Sequence, residues 1–412
     1  MAQPPSRPAR SEREPAHDAR SRNERIIAGA MSGTSADGVD VAIVAVAGRG
    51  LAMTARLLHH HHRPYEPALR QTLFKVRETG SIELATLARI GRQISITYSR
   101  AVADALTAAT LVSSDVACVA AHGQTLFHAP PDSIQWLDPA LVAAEVGCAV
   151  VSDFRRADCA AGGQGAPLVP FADYVLFRDP KVHRVLLNIG GIANATVLPA
   201  GCGPDDLVAF DTGPGNCISD YLCRKYDPAG PGFDPDGRYA ARGEVLTALL
   251  DGALADPYFV RPPPKSTDGP AMIELFESAR RRAGYADPDP PLEDLLATAC
   301  ELTVRTIRRP LAQAFASQPA TTAGVEIVVS GGGVLNKHLM SRLAAEWPVR
   351  VTTVADWGIP AEAKEAVAFA LLGAATLDGV PSNVPSATGA RHPVVLGSIT
   401  PKPSPSPTLS PT

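Results

Sequence analysis

One local pattern occurs twice in this sequence: an apolar strand, a glycine-bearing turn and a second apolar strand. The first copy joins Ile26–Met31 to Val39–Val46, and the second joins Val185–Asn188 through Gly190-Gly191 to Ala193–Leu198. Short continuous apolar runs bounded by glycine are typical of buried strands. A chain that builds such a unit twice is predicted to form two similar α/β lobes with a cleft between them.

The rest of the chain alternates between predicted helices and strands. We predict strands at 51–58, 116–121, 149–153, 207–210 and 326–330, and helices at 66–79, 82–109, 292–315, 335–347 and 361–377, with a further helix after Gly215. The run His59–His62 falls between a strand and a helix, so an exposed basic loop is preferred to a metal site there. The predicted division is a disordered tail at 1–24, an N-terminal lobe at 25–155 that receives part of the C-terminal segment, a C-terminal lobe at 156–400 and a disordered tail at 401–412.

Composition narrows the class of protein. The 412 residues include 38 Lys and Arg against 42 Asp and Glu, a net charge of −4 without the basic excess of a general nucleic-acid binder. No apolar run approaches the roughly 18 residues of a membrane span, and no apolar segment typical of a secretory signal follows the N-terminal arginines. The seven cysteines form no C-x-x-C pair. They are therefore expected to be free thiols in a reducing, cytoplasmic compartment.

The first glycine loop, Met31–Asp40, has the composition of an anion-binding loop. Its glycines let the backbone approach a ligand and turn N–H groups toward it, while the hydroxyls add donors. A tight hairpin held by local side-chain bonds is the alternative. A strand follows this loop, and neither G-x-x-x-x-G-K-[ST] nor a strand-to-helix G-x-G-x-x-G occurs, which excludes P-loop and Rossmann proteins. The candidate ligands of a nucleotide here are Gly33, Thr34, Ser35, Asp37, Gly38 and Asp40.

Three further polar glycine loops occur in the second half: Asn188–Asn194, Phe210–Asn216 and Ser330–Asn336. Asp211 is predicted to end a strand and to face the cleft beside an anion-binding helix N-terminus. The alternative is that Asp211 or Thr212 caps that helix. Together the four loops favour a nucleotide site in the cleft. The candidate nucleotide ligands in the second half are Asn188, Gly190, Gly191, Gly213, Gly331, Gly332, Gly333 and Asn336.

Two polar segments lie between the halves of the chain. His122–Thr125 follows a predicted strand, and Asp153–Asp158 runs into the glycine-rich segment Gly162–Pro167. Such groups suit a hydroxylated or anionic substrate, and an arginine is well shaped to bind a carboxylate or phosphate. A structural histidine and a solvated arginine face are the alternatives. The candidate substrate ligands are His122, Gln124, Asp153, Arg155, Gln164 and Asn216.

Seven segments, in order, resemble the motifs of the anhydro-N-acetylmuramic acid kinases, members of the sugar kinase/Hsp70/actin superfamily. The resemblance spans about residues 26–400 and implies two ribonuclease-H-like lobes, ATP and Mg²⁺ in the interlobe cleft, and a homodimer. The matching segments are Met31–Asp40, His122–Thr125, Asp153–Pro167, Asn188–Asn194, Phe210–Asn216, Gly331–Met340 and Thr388–Gly397.

The resemblance also implies a reaction. Water would open the 1,6-anhydro ring of 1,6-anhydro-N-acetylmuramic acid, and ATP would phosphorylate O6, giving N-acetylmuramic acid 6-phosphate in cell-wall sugar recycling. Asp211 matches the catalytic aspartate of the family, a general base, and Met31–Asp40 matches the loop that holds the ATP phosphates. Asp37 and Glu365 are the candidate metal ligands.

The chain departs from the family pattern in one place and resembles a related family in another. After Pro262–Thr267 the family continues Gly-Arg-Glu, whereas this chain has Asp268-Gly269-Pro270. Gly358–Ala366 also resembles the levoglucosan kinases, so a levoglucosan-type or other anhydrosugar kinase is the alternative function. A non-catalytic ATP-binding module of the actin/Hsp70 class is the second alternative, and an inactive regulator is a third.

Overall fold

A computed structural model describes residues 24–33, 35–262, 265–316, 324–347 and 349–403. Thr34 and most of the two predicted tails lie outside these residues. The strands are β1 Glu24–Ser32, β2 Gly38–Ala47, β3 Thr54–Pro64, β4 Val116–Ala129, β5 Asp132–Trp136, β6 Val150–Ser152, β7 Val182–Ile189, β8 Ile192–Leu198, β9 Val208–Pro214, β10 Gly324–Ser330, β11 Arg350–Thr353 and β12 Ser398–Thr400. The α-helices are α1 Pro67–Thr79, α2 Leu84–Ala108, α3 Pro139–Val146, α4 Arg156–Ala160, α5 Val169–Phe177, α6 Cys217–Tyr226, α7 Thr247–Leu254, α8 Gly269–Arg282, α9 Leu292–Ala316, α10 Lys337–Glu346, α11 Lys364–Leu377 and α12 Pro385–Thr388.

The two sheets repeat one strand order. The first runs β12-β6-β4-β1-β2-β3 with β5 beside β4, and the second runs β11-β10-β7-β8-β9. In each, the first strand pairs antiparallel with the next strand along the chain and parallel with the strand on its other side. Each sheet is therefore an antiparallel meander continued by parallel strands, the arrangement of a ribonuclease-H-like lobe. The repetition confirms the predicted two-lobed α/β fold class.

Helices cover both faces of the first sheet, as a sheet with parallel strands requires. Alternate residues of β2 point to opposite faces. Val41 and Ile43 pack in the core that contains residues of α2, whereas Ala42 and Val44 pack in the core that contains residues of α11. This two-sided burial explains why β2 is apolar along most of its length.

The core between the two sheets is built around α11 and α5. It contains Val44 from the first sheet, Leu186 and Val328 from the second, Phe369 from α11 and Phe177 from α5. The two sheets therefore share one apolar core, and α11 is a buried helix of that core.

The close approach of α11 to the first sheet depends on two glycines. A side chain at Gly29 of β1 would collide with the carbonyl oxygen of Ala366, and one at Gly373 of α11 would collide with the side chain of Ala120. The first turn of α11 is thereby held near the end of β1, where the first glycine loop begins.

Two polar segments form parts of strands. β3 extends to Pro64, so His59–His62 lie in a strand that pairs with β2, with His62 opposite Asp40. The prediction of an exposed loop was wrong because pairing with a neighbouring strand outweighs the low strand propensity of a polar run. β4 likewise continues through His122–Thr125 and pairs with β5, a hairpin that the polar sequence did not indicate.

The C-terminal part of the chain returns to the first sheet, where β12 pairs antiparallel with β6. The sequence analysis predicted that part of the C-terminal segment joins the N-terminal lobe. The limits given there for the two lobes, residues 25–155 and 156–400, remain a prediction. Within the described residues, no helix combines the length and apolarity needed to cross a membrane.

Candidate active site

A row of four polar residues crosses the second sheet. Ser330 of β10 is paired with Asn188 of β7, Asn188 with Asn194 of β8, and Asn194 with Asp211 of β9. Side chains in register point to one face, and Leu186, two residues before Asn188, packs in the core between the sheets. The row therefore faces the first sheet. Asn188 and Ser330 lie at the carboxyl ends of parallel strands, where α/β sheets bind ligands.

Asp211 is partly exposed and held by backbone groups. Its Oδ2 accepts a hydrogen bond from the amide of Thr267 at 2.9 Å, and its own amide donates to the carbonyl of Lys265 at 3.0 Å. Burial raises the pKa of Asp211, while the Thr267 amide and the charge of Lys265 lower it. Neither Asp211 nor Thr212 caps α6. The hydroxyl of Thr212 donates to the carbonyl of Ala193. The residue that precedes α6 is Asn216, and its side chain makes no cap.

The glycine turn between β7 and β8 lies against the residues that lead into α6. The amides of Gly215 and Cys217 donate to the carbonyl of Gly191, each at 3.0 Å, and that of Asn216 donates to the carbonyl of Gly190 at 2.8 Å. The glycine turn between β7 and β8 therefore satisfies these donors. Sequence inspection missed this arrangement because the acceptors come from a separate loop.

The loop after β10 packs against the loop after β7. Gly331 adopts a φ of +82°, and a Cβ there would lie 2.6 Å from both Asn188 Oδ1 and the carbonyl oxygen of Ile189. Gly332 faces Asn216, whose side-chain nitrogen would lie 3.7 Å from a Cβ on that glycine. The second, third and fourth glycine loops thus converge, as predicted for a shared site.

Two candidate nucleotide ligands of this half are engaged elsewhere. Asn336 caps α10 by accepting from the amide of Leu339 at 2.9 Å. Gly213 is buried against Phe259 and Thr306, on the side of the sheet away from the polar row. Both positions support the loops structurally.

The first glycine loop is a tight hairpin with local bonds, as its alternative interpretation stated. Ser35 Oγ donates to Asp37 Oδ1 at 2.8 Å, and both residues are exposed. Buried Gln124 anchors the base of the loop: it accepts from Ser32 Oγ at 2.7 Å and donates to the carbonyl of Gly33 at 3.1 Å. Gln124 is therefore a support of this loop, and Ser35 and Asp37 remain accessible to a ligand.

Asp40 lies against two of the histidines of β3. Its Oδ1 is 3.0 Å from His60 Nε2 and 3.1 Å from His62 Nδ1. The two histidines are two residues apart on one strand and so share the face that Asp40 occupies. Gly38, at the start of β2, is buried against Arg63 and His62.

His122 and Arg155 form a buried pair. Arg155 Nε donates to His122 Nε2 at 3.0 Å, and Nδ1 of the same imidazole lies 2.9 Å from the carbonyl oxygen of Gly123. Because arginine only donates, His122 carries its proton on Nδ1. Burial, and then the charge of Arg155, lower the pKa of His122 well below its ordinary value. The imidazole is therefore neutral: Nε2 accepts from Arg155, and Nδ1 donates to the carbonyl of Gly123, which fixes the ring.

Arg155 and Arg156 have different surroundings. Arg155 Nη1 donates to the carbonyl of Gly165 at 2.9 Å, within the glycine-rich segment. Arg156 pairs with Asp153, with Nε 2.7 Å from Oδ1, and is exposed. Gln164 is also exposed, and its backbone amide donates to the carbonyl of Thr388.

Glu365 lies in the first turn of α11 and is exposed to solvent. The surrounding protein displaces water from the Glu365 carboxyl and raises its pKa even though part of the side chain is exposed, while Lys364 and Arg155 lower the pKa and Asp40 raises it further. The charges that act on this carboxyl therefore include Arg155 and Asp40 of the first lobe. Within the described residues, no group of three or more His, Cys, Asp or Glu side chains has metal-binding geometry.

A buried carboxylate that the predictions omitted organises the glycine-rich segment. Asp158 accepts from Thr388 Oγ1 at 2.7 Å, from Asn383 Nδ2 at 2.8 Å and from the amide of Gly165 at 2.8 Å. Asp158 lies inside a segment that the sequence analysis singled out, but two of its three partners, Asn383 and Thr388, are more than 200 residues away. The structural role of Asp158 is therefore visible only in the folded chain, where these residues meet.

The repeated sheets and the polar row facing the space between them define a two-lobed protein of the actin-like ATPase and sugar kinase class. The family model described as anhydro-N-acetylmuramic acid kinase matches residues 25–402. The chain belongs to this family and is a kinase.

Relatives that carry the family name match over nearly the whole chain. The anhydro-N-acetylmuramic acid kinase of Caldanaerobacter subterraneus subsp. tengcongensis is 38% identical over 392 residues, with 92% of this chain and 97% of the relative covered. That of Salinibacter ruber is 40% identical, with 92% and 96% covered, and that of Bordetella pertussis is 41% identical, with 92% and 96% covered.

Solved structures of other proteins match with low identity. Component A of the (R)-2-hydroxyglutaryl-CoA dehydratase of Acidaminococcus fermentans aligns with a TM-score of 0.42 and 12% identity, covering 84% of this chain and 96% of that one. A ROK family glucokinase from Streptomyces griseus, in complex with glucose and AMPPNP, aligns with a TM-score of 0.36 and 14% identity, covering 85% and 98%.

Proposed function

We propose that this protein uses ATP and water to convert 1,6-anhydro-N-acetylmuramic acid into N-acetylmuramic acid 6-phosphate, a reaction of cell-wall sugar recycling. Family membership supports the substrate. The single observation that carries the chemistry is Asp211, a partly exposed carboxylate in a polar row on the face between the sheets. Mg²⁺, a homodimer and a cytoplasmic location are further parts of this proposal, and they rest on the family resemblance and the sequence.

The proposed reaction has two linked steps. Asp211 accepts a proton from a water molecule, the water oxygen bonds to the anomeric carbon, and the bond from that carbon to the bridging oxygen breaks. The freed O6 then bonds to the γ-phosphorus of ATP, and ADP leaves. The base must be ionised to act, so the Thr267 amide and Lys265, which oppose the effect of burial on the Asp211 carboxyl, favour the active form.

The nucleotide is proposed to lie between the first glycine loop and the converging loops of the second sheet. The backbone amides of Gly215, Asn216 and Cys217 already bond to Gly190 and Gly191, so phosphate binding is assigned to the exposed groups of the first loop, such as Ser35. Asp37 and Glu365 offer exposed carboxylate oxygens, the donor type that Mg²⁺ prefers. Bound there, Mg²⁺ would neutralise charge on the phosphates.

The position of Arg155 favours the muramic acid substrate over levoglucosan. The guanidinium is held by the carbonyl of Gly165 and by His122, whose ring lies 4.9 Å from that of Phe369 on α11. A fixed arginine suits a carboxylate, which the lactyl group of muramic acid supplies and levoglucosan lacks. Asp153, Gln164 and Asn216 remain the further candidate substrate ligands.

An ADP-release assay tests this function by comparing anhydro-N-acetylmuramic acid, levoglucosan and glucose. We expect the first sugar to be preferred, and a preference for glucose would overturn the ring-opening mechanism. Asp211→Asn should lower kcat by about 10³-fold or more with ATP binding retained, because the base is lost while the glycine loops remain. Near-normal turnover of this variant would refute the assignment of the base.

A further inference from the structure

The free edge of β9 is covered by a short segment, Lys265–Asp268, which we name the strap. β9 is the last strand of the second sheet in the described residues. The amide of Asp211 donates to the carbonyl of Lys265, and the amide of Thr267 donates to the Asp211 carboxylate at 2.9 Å. The strap thus behaves like an added edge strand and presents one backbone donor to the proposed base.

The upstream end of the strap is anchored by a buried lysine and a tyrosine. Lys265 is only 6% exposed, its ammonium donates to the carbonyl of Tyr258 at 3.2 Å, and it lies 4.6 Å from the centre of the Tyr258 ring. The Tyr258 hydroxyl in turn donates to the carbonyl of Asp211 at 3.0 Å. This end of the strap is therefore tied to the same strand that carries the base.

The downstream end of the strap is anchored by Asp268, which caps α8. Its Oδ1 accepts from the amide of Ala271 at 2.8 Å, and its carbonyl accepts from the amide of Met272 at 3.2 Å. Pro270 occupies the first turn, where proline is compatible with a helix start. α8 is 14 residues long and buries Met272 and Phe276 in the core, so it is a rigid support. Asp268 also lies where the chain departs from the Gly-Arg-Glu pattern of its family.

We propose that Asp268 is a positioning residue of the reaction: by capping α8 it holds the Thr267 amide against the Asp211 carboxylate. The proposal rests on the assignment of Asp211 as base under the proposed function. It goes further because a helix cap outside the polar row then controls the orientation and the protonation of Asp211.

The proposal has a consequence for pH dependence. The Thr267 amide stabilises the ionised form of Asp211 and lowers its pKa. Burial already raises the pKa of Asp211, and a strap that moves away removes the opposing amide, so the pKa of Asp211 rises further. The base is active when ionised, so the acid limb of the kcat profile moves to higher pH when the cap is lost.

The test compares Asp268→Ala, Asp268→Asn and a matched control, Asp138→Ala. Asparagine retains an oxygen that can cap a helix but removes the charge, which separates the two effects. Asp138 caps α3 by accepting from the amides of Ala140 and Leu141, both at 3.1 Å, and α3 packs in the first lobe. Both alanine variants should lower the melting temperature, because each removes a helix cap.

We expect Asp268→Ala to reduce kcat about 3- to 10-fold with KM for ATP unchanged. Its acid limb should move upward by about 0.5 to 1 pH unit, the size of effect a lost hydrogen bond to a carboxylate produces. Asp268→Asn and Asp138→Ala should keep the wild-type profile. An unchanged acid limb in Asp268→Ala, or an equal shift in Asp268→Asn, would overturn the proposal.

A titration that needs no turnover separates this proposal from the proposed function. Aspartate labelled with ¹³C at the carboxyl carbon reports the protonation of Asp211, with the signal assigned by its loss in Asp211→Asn. The midpoint should rise in Asp268→Ala and not in Asp138→Ala. If the wild type phosphorylates no anhydrosugar, the proposed function fails but this titration still decides the role of Asp268. A midpoint unchanged in Asp268→Ala refutes that role.

Discussion

Arg155 Nε donates to His122 Nε2 across 3.0 Å, which joins the glycine-rich segment after β6 to the middle of β4. The imidazole also packs against the ring of Phe369 on α11, with ring centres 4.9 Å apart and the ring planes tilted by 49°. A residue predicted to bind substrate is therefore buried and orients a second residue, whose guanidinium is the better candidate for a direct contact.

His122→Phe should weaken sugar binding more than it slows chemistry. Phenylalanine keeps the ring against Phe369 but removes the acceptor of Arg155, so the guanidinium loses its fixed orientation. We expect KM for the anhydrosugar to rise about tenfold, with kcat reduced less, in steady-state assays. His122→Gln retains an acceptor and is the control. Equal KM values for the two variants would show that the acceptor has no such role.

His122 should make the free energy of unfolding depend on pH. Its pKa is lowered in the folded protein, so in acid the unfolded chain binds a proton that the folded chain does not. Stability from this group is complete above the ordinary histidine pKa near 6.5 and falls as pH decreases below it, by about 1.4 kcal/mol per pH unit for one proton.

This pH dependence can be measured by urea unfolding of the wild type and His122→Phe between pH 5 and 7. The variant should lose less stability on acidification, because its side chain takes up no proton. Other histidines contribute equally to both proteins and cancel in the difference. Parallel pH profiles for the two proteins would mean that His122 is protonated in the folded state.

The ion pair between Lys364 and Asp173 should be costly to break. Lys364 Nζ lies 3.1 Å from Asp173 Oδ1, and the side chains are 8% and 4% exposed. Asp173→Ala leaves a buried ammonium without its partner and should lower the free energy of unfolding by about 3–5 kcal/mol. The double variant with Lys364→Met should recover much of this loss. Denaturant unfolding of all three proteins measures it, and a double variant as unstable as the single one would contradict the account.

Gly29→Ala should disturb the site through α11. The added methyl group collides with the carbonyl of Ala366, so α11 must shift, and Glu365 moves with it. We expect a loss of about 1–3 kcal/mol in unfolding free energy together with reduced kcat. Gly324→Ala is the matched control, since a Cβ at Gly324 meets nothing within 4 Å. Indistinguishable stabilities of the two variants would show that the contact is not tight.

Local patterns were sufficient for much of this molecule. The strand–glycine–strand units at β1–β2 and β7–β8 were predicted from residues adjacent in the chain, because continuous apolar runs and glycine turns act over a few residues. The long helices α2 and α9 followed from apolar spacing in the same way. Polar strands such as His59–His62 were missed, since only a neighbouring strand gives such a segment its conformation.

The amino-acid order alone predicted two similar α/β halves and four polar glycine loops, and the resemblance to a kinase family added one aspartate as the candidate base. Folding decided which groups remain available for chemistry. The amides of Gly215, Asn216 and Cys217 bond to carbonyls of another loop, His122 accepts from Arg155, and Asp211 accepts from the amide of Thr267. A buried donor or acceptor bonds to whichever group the fold brings next to it. Partners that are far apart in the chain share no sequence pattern, so the sequence does not reveal which groups will be bonded to each other.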